Sequence, residues 1–343
     1  MGPKRPLGRR PPILGASTPR SNALITMAAT EHAPDSTSEG REPFVHRTVL
    51  RDEVLRAIAP RDGGVYLDVT LGGGGHAEAV LEACGPSGKL IGIDRDPAAR
   101  EAAAARLARF GDRVSIHDAT MSRARSVLET LGISAVDGLV ADLGVSSPQL
   151  DDAERGMSFR GDGPLDMRMD PTRGQTAREL IDSLTERALA DLIYELGEER
   201  ASRPIARSIL RARDEGKLER TLDLAKAVYR VLGPPRRGGG LDPATRTFQA
   251  LRIAVNDELG ELDALLLALP SLLVEGGVAA IISFHSLEDR KVKWAFREDE
   301  QLDPLWKKPV EASDEEQREN PRSRSAKLRA ARRASASEME RRP

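Results

Sequence analysis

Only one cysteine, Cys84, occurs in 343 residues, which excludes an intrachain disulfide and a cysteine-built metal cluster and fits a reducing cytoplasm. Aromatic residues make up 3% of the chain, so aliphatic and alanine-rich segments must supply most of the core. The 5 histidines show no recognised ligand spacing, and no metal is expected. No apolar run approaches the roughly twenty residues needed to cross a bilayer. The longest, Leu265 to Val274 and Val278 to Phe284, are core-sized, so a soluble protein with no membrane partner is expected. A net charge of -2 leaves no global electrostatic footprint for nucleic acid, so any such footprint must be local.

Residues 1–43 are rich in Pro, Ser, Arg and Gly and lack periodic apolar positions, which reads as a disordered tail. From Phe44 onward, short apolar strands alternate with helical patterns. The strands are Val65 to Val69, Lys89 to Ile93, Val114 to His117 and Gly138 to Asp142, and the helices Ala77 to Cys84, Pro97 to Arg109 and Met121 to Leu131. This rhythm predicts a parallel sheet with crossover helices. The alternation breaks near Ser147 and a strongly helical stretch follows, in which Thr176 and Glu179 form a capping box. Val278 to Phe284 then returns as a buried strand, so the helical stretch reads as an insertion into the sheet domain.

The most informative segment is Val65-Tyr66-Leu67-Asp68-Val69-Thr70-Leu71-Gly72-Gly73-Gly74-Gly75-His76-Ala77, an apolar strand running through four glycines into a helix. Such a turn lets a ligand lie against the main chain at a helix N-terminus. About twenty residues on, Leu90 to Asp94 is a second strand ending in an acid, placed to accept hydrogen bonds from ribose hydroxyls. Gly72-x-Gly74-x-x-Ala77 also fits the dinucleotide fingerprint, so at this point a nicotinamide-dependent oxidoreductase competes with other nucleotide-cofactor enzymes. In a parallel sheet, ligands bind at the carboxyl ends of the strands, where Gly72 to His76, Asp94, the His117 to Met121 loop and Asp142 would converge.

Five longer motifs narrow the choice: Asp142-Leu-Gly-Val-Ser-Ser-Pro-Gln-Leu-Asp151, Gly161-Asp-Gly-Pro-Leu-Asp-Met-Arg-Met-Asp170, Ala244-Thr-Arg-Thr-Phe-Gln-Ala-Leu-Arg-Ile253, Ser283-Phe-His-Ser-Leu-Glu-Asp-Arg290 and Asn320-Pro-Arg-Ser-Arg-Ser-Ala-Lys-Leu-Arg329. Together, from about His46 to about Arg333, they resemble the ribosomal RNA small-subunit methyltransferase H family. The resemblance implies an α/β fold, a Rossmann-like S-adenosylmethionine-dependent methyltransferase sheet with an inserted helical subdomain. It implies methylation of the N4 amino group of one cytidine in the decoding region of 16S rRNA, with S-adenosyl-L-methionine as cofactor. The partner would be 16S rRNA or the small ribosomal subunit rather than DNA; a homodimer is left open. The implied cofactor residues are Gly74, Gly75, His76, Asp94, Met121, Asp142 and Gln149. The implied organisation is a methyltransferase domain at 44–150 and 257–310, an inserted substrate-recognition domain at 151–256 and a basic C-terminal tail at 311–343.

Two positions depart from the family pattern: Met121 stands where an aromatic is usual, and Asp242 where histidine is common. A methionine can pack on an adenine through its thioether but supplies no aromatic stack. Cys84 lies away from the substrate loop, so C5 methylation through a cysteine nucleophile is disfavoured and direct attack by an exocyclic nitrogen fits better. Such a nitrogen needs a positioned proton acceptor, and Asp142, Ser146 and the main chain of Val145 to Pro148 are candidates, none of them assigned. His285 and Asp289, just past the last core strand, are candidates for shaping the target pocket. For RNA contact, the sequence offers the arginines from Arg318 to Arg333, those from Arg203 to Arg213, the Arg236-Arg237 pair, and the Arg155 to Met169 loop with its methionines, a candidate grip for an extruded base.

Overall fold

The computed structural model describes residues 48–236 and 240–341, which lie in one folding unit. The tail expected at 1–43 and Arg237 lie outside the described residues. The first part alternates strand and helix: α1 (Arg51–Ile58), β1 (Val65–Asp68), α2 (Gly75–Ala83), β2 (Lys89–Asp94), α3 (Pro97–Leu107), β3 (Val114–Asp118), α4 (Ala124–Thr130) and β4 (Val136–Asp142). A short α5 (Ser147–Asp151) leads to a helical stretch made of α6 (Ala177–Ser183), α7 (Glu186–Gly197), α8 (Ser202–Asp214), α9 (Thr221–Leu232) and α10 (Thr245–Asn256). The chain then returns through α11 (Glu258–Leu272), β5 (Leu273–Ser283) and α12 (Ser286–Glu298). It closes with β6 (Leu302–Pro304), β7 (Val310–Glu311), α13 (Asp314–Glu319), β8 (Lys327–Arg333) and α14 (Ala336–Met339).

The sheet runs β3-β2-β1-β4-β5-β8-β6, with β7 also pairing β8. β1 to β5 are mutually parallel, whereas β8 lies antiparallel against β5 from Val278↔Arg332 to Ser283↔Lys327. Alternate side chains on each strand feed opposite faces: Tyr66, Ala280 and Ile282 join the core under α1, α2 and α3, while Leu67, Ala279 and Ile281 join the core under α4, α11 and α12. Period-two alternation into two apolar layers is what buries a parallel sheet on both faces. The helices α6 to α10 close around a third apolar core of their own, including Ile181, Leu189, Ile205, Leu224 and Phe248.

One expectation needs correction. The segment 311–343, read as a basic tail, contains β8, an interior strand of the sheet. Its cations are occupied there. Arg329 holds Asp289 through two hydrogen bonds, at 2.7 and 3.2 Å, and Arg332 holds Asp303 and Glu338. Arg333 donates to the Leu273 carbonyl, and Arg322 pairs with Asp151 at 2.8 Å. Asp289, a candidate for shaping the target pocket, is thus the anchor of β8.

Candidate active site at the carboxyl edge of the sheet

Each of β1, β2, β3 and β4 ends in an aspartate: Asp68, Asp94, Asp118 and Asp142. Because the strands are parallel, these four carboxylates share one edge. Asp118 is neutralised by Arg100 at 3.2 Å and Arg173 at 2.8 Å. Asp68, Asp94 and Asp142 have no lysine or arginine ion pair among the described residues. Burial pushes the Asp68 carboxyl up to about 7; His76 and the Thr70 amide oppose that shift, while Asp142 and Asp94 add to it. Asp94 is likewise raised, first by burial and then by Asp96, against the hydrogen bonds it accepts.

The glycine turn is folded by local bonds. Leu71 N–H donates to the Ile93 carbonyl and Gly74 N–H to the Leu71 carbonyl, which forces Gly72 (φ 50°) and Gly74 (φ 78°) into the left-handed region where a side chain would be strained. A Cβ on Gly73 would meet nothing within 4 Å, so the main chain there is open to a ligand. Gly74 caps α2 without a side-chain acceptor, leaving the first-turn amides of Gly75 and His76 directed toward this space. Gly75 instead serves packing, since a Cβ there would lie 2.2 Å from Thr48 Oγ1.

Asp94 Oδ2 accepts from Gly72 N–H and Oδ1 from Asp96 N–H, both at 2.8 Å, which fixes the carboxylate beside the turn. A carboxylate has about four lone-pair sites. Two are filled here, so acceptor capacity remains for hydroxyl groups. His76 is 5% exposed, and its Nε2 lies 3.7 Å from Asp142 Oδ2. Neither His76 Nε2 nor Asp142 Oδ1 has a hydrogen-bond partner. Two facing buried polar atoms left unsatisfied are the signature of a ligand site, because without a ligand each costs roughly 1–3 kcal/mol. Thr70 holds the pair in place, accepting from Asp142 N–H at 2.6 Å while its own amide donates to Asp68 Oδ1 at 3.1 Å.

Gln149 sits differently. Its amide oxygen accepts from Ser146 N–H, and its amide nitrogen donates to Asp96 Oδ2 at 2.7 Å. Both polar ends are engaged within the protein, so Gln149 orders the Val145 to Pro148 loop. Asp96 escaped the sequence reading; besides Gln149 and the Ala98 amide it accepts from Arg155, whose guanidinium also donates to the Arg168 and Met169 carbonyls. One 2% exposed carboxylate therefore ties the β2 end, the loop after β4 and the loop entering the helical stretch together. An Asp-Pro step is a local signal for a helix cap, but the other partners of Asp96 lie 53 and 59 residues away.

Met121 begins the single turn before α4, half-buried against the core that includes Leu128 and Ala141. The Arg155 to Met169 loop is not a grip for a base: Met157 and Met167 are buried in the protein, Phe159 packs edge-on to Phe248 at 4.9 Å, and Arg168 turns onto Asp166. Asp242 accepts from Tyr229, whose hydroxyl is pushed up to about 12 by burial and by that carboxylate. His285 is the N-cap of α12 and contacts Glu288 at 3.1 Å. Burial opposes the charge on Glu288, but His285, the Phe284 amide and Arg252 outweigh it and hold the carboxyl below its usual range. His285 thus lies just past β5, where its own ring nitrogens form no hydrogen bond and Glu288 is its ionic neighbour. Of the helical cations, Arg207, Arg211 and Arg213 pair with Glu186, Glu215 and Asp214.

No helix among the described residues is long and apolar enough to cross a membrane. The "Ribosomal RNA small subunit methyltransferase H" of Sorangium cellulosum is 59% identical over 293 residues, covering 85% of this chain and 92% of that protein. The protein of the same name from Geobacter sulfurreducens is 50% identical over 306 residues, covering 84% and 98%. Among solved structures, an rRNA methylase from Streptococcus thermophilus aligns with a TM-score of 0.36 at 10% identity, covering 83% of this chain and 94% of that one. The sequence model of the MraW methylase family matches residues 43–334, and the chain belongs to that family.

Proposed function

We propose that this methyltransferase uses S-adenosyl-L-methionine to methylate the exocyclic N4 of one cytidine in the decoding region of 16S rRNA. The observation that carries the cofactor is the electrostatics of the sheet edge. Asp68, Asp94 and Asp142 present carboxyl groups with no arginine or lysine ion pair among the described residues, and two buried polar atoms there are unsatisfied. Such an edge suits a ligand bearing a sulfonium and an ammonium group and opposes the pyrophosphate of a dinucleotide. The substrate class rests on the small-subunit rRNA methyltransferases that this chain resembles at 50–59% identity.

In this reading Asp94 takes the ribose hydroxyls and the open turn at Gly74, Gly75 and His76 takes the amino-acid end. Met121 offers its remaining exposed face to the adenine, Asp142 stands at the reacting end, and Gln149 holds the loop beside it. When bound, S-adenosyl-L-methionine supplies the methyl group. A new N–C bond forms as the C–S bond breaks, and the N4 proton must pass to an acceptor because the amino lone pair is delocalised into the ring. Asp142, Ser146 and the main chain of the Val145 to Pro148 loop are the candidates for that acceptor, and none is assigned.

Methyl transfer from labelled S-adenosyl-L-methionine to small subunits lacking the modification, to naked 16S rRNA and to DNA tests the reading, with the product nucleoside identified by mass spectrometry. N4-methylcytidine from a ribosomal acceptor is the expected product. Label in DNA alone, or in another nucleoside, overturns the substrate assignment.

A further inference from the structure

The chain has few aromatic residues, yet two large rings stand exposed on adjoining parts of one surface: Tyr194 at 59% and Trp294 at 46%. Tyr194 borders a groove of about 670 Å³ between α7, α10 and α12, which Glu195, Glu198, Arg200, Arg246 and Arg290 also line. Leu287 and Arg290 carry the groove into a second depression of about 420 Å³, bordered by Lys291 and Trp294. Arg290 is tied to Glu198 at 3.0 Å and Lys291 to Asp263 at 2.6 Å. Arg200, Arg246, Lys293 and Arg297 form no ion pair among the described residues, and Arg246 donates only to the Glu198 carbonyl. Lys293 and Arg297 lie 5.1 and 5.7 Å from the Trp294 ring centre.

Exposed charge on helices is ordinarily just a solvated face. Here four cations without an ion pair among the described residues outnumber the acids of the groove, Glu195 and the Arg290-paired Glu198, and they stand beside two exposed aromatic rings in a chain of net charge -2, which a solvated face does not explain. The groove is also placed for the chemistry. Leu287 lies in the first turn of α12, just past the end of β5, and Phe284 beside it packs next to Gly144 of the loop that follows Asp142.

Resting on the rRNA reading above, we infer that the groove from Tyr194 to Trp294 is a track for single-stranded RNA flanking the target nucleotide. Bases stack on the two rings, and phosphates are met by Arg200, Arg246 and the cations around Trp294. An acidic protein would use the cations but leave the ring faces idle, and a duplex would not present its bases to them.

Trp306→Phe leaves Trp294 as the sole tryptophan of the full chain. That protein is titrated with a pyrimidine-rich RNA of about 12 nucleotides, and separately with polyglutamate, at low and moderate salt. Saturable quenching by RNA is expected, with log affinity falling against log salt by about 0.7 per phosphate met. Trp294→Leu should weaken binding of labelled RNA roughly 5- to 100-fold, as for loss of one base–aromatic stack. Arg200→Glu with Arg297→Glu should reduce both affinity and salt slope. Equal quenching by polyglutamate, or none by RNA, overturns the track. Small-subunit methylation is measured in parallel. Wild-type methylation with unchanged KM in the Trp294→Leu and Arg200→Glu variants removes the track and leaves the rRNA reading standing. Absence of methylation of any ribosomal acceptor by the wild type removes both.

Discussion

The glycine-rich edge and the C-terminal strand use charge in opposite ways. At the edge, Asp68, Asp94 and Asp142 are crowded together with no lysine or arginine ion pair among the described residues, and His76 Nε2 and Asp142 Oδ1 are left unsatisfied there. In and around β8, Arg322, Arg329, Arg332 and Arg333 each have an acid or a carbonyl as partner, although Arg322 Nη1 and Arg333 Nε form no hydrogen bond. By sequence the glycine turn stood out as the ligand site, and the arginine-rich segment stood out as a candidate for RNA contact. Net charge in a segment says little about ligands; uncompensated charge that the fold has sequestered says more.

The sharpest way to test that difference is through pH. The folded Asp68 carboxyl is pushed up to about 7, above the 3.8 usual for an exposed aspartate, so the native state binds more protons than the unfolded state between those values. Its contribution to stability is therefore present at low pH and lost as pH rises through 7. On the order of 3 kcal/mol should disappear between pH 5 and pH 8 in the cofactor-free protein. Asp68→Asn should remove that dependence in urea unfolding measured at both pH values; an identical slope in the variant would show that the edge carries no electrostatic stress.

Breaking the other side of the comparison calls for Asp289→Ala. The Asp289–Arg329 pair is largely buried, with side chains 16% and 12% exposed, and the variant leaves Arg329 without its partner beneath the sheet. Loss of about 2 to 3 kcal/mol is expected in chemical denaturation, with cofactor affinity unchanged in the folded protein. Asp94→Ala should give the reverse pattern. Calorimetric affinity for S-adenosyl-L-methionine should fall by about 1.5 to 3 kcal/mol through loss of charge-assisted hydrogen bonds. Folding stability should change less, because removing a buried, mutually repelling carboxylate offsets the loss of its two amide donors.

What could be read from sequence follows the same divide. β1, β2 and β4 are near-continuous apolar runs punctuated by glycine or aspartate, so their positions and their ligand-binding edge were legible. β8 was not. Lys327-Leu-Arg-Ala-Ala-Arg-Arg333 has weak strand propensity, and only its ladder with β5, more than forty residues away, makes Leu328, Ala330 and Ala331 buried. The buried methionines of the Arg155 to Met169 loop failed for a related reason: Arg155 faces inward to Asp96, and nothing local announces so distant a partner. Gln149 was read as a cofactor residue, but the capping box and the Asp96 carboxylate that engage its amide give it a loop-ordering task.

The smallest expected effect lies on the boundary between ligand contact and core. Met121 packs half-buried against Leu128 and its neighbours, at the loop where the family usually places an aromatic residue. Met121→Phe restores a ring without removing apolar volume. If the exposed face of Met121 meets the adenine, an added stack should tighten S-adenosyl-L-methionine binding by about 0.5 to 1.5 kcal/mol, a few-fold in calorimetric Kd. Unchanged affinity accompanied by a shift in unfolding midpoint would instead assign Met121 wholly to the core. The adenine end of the site would then depend on main-chain and aliphatic contacts alone, and the electrostatic contrast between the edge and β8 would carry still more of the recognition.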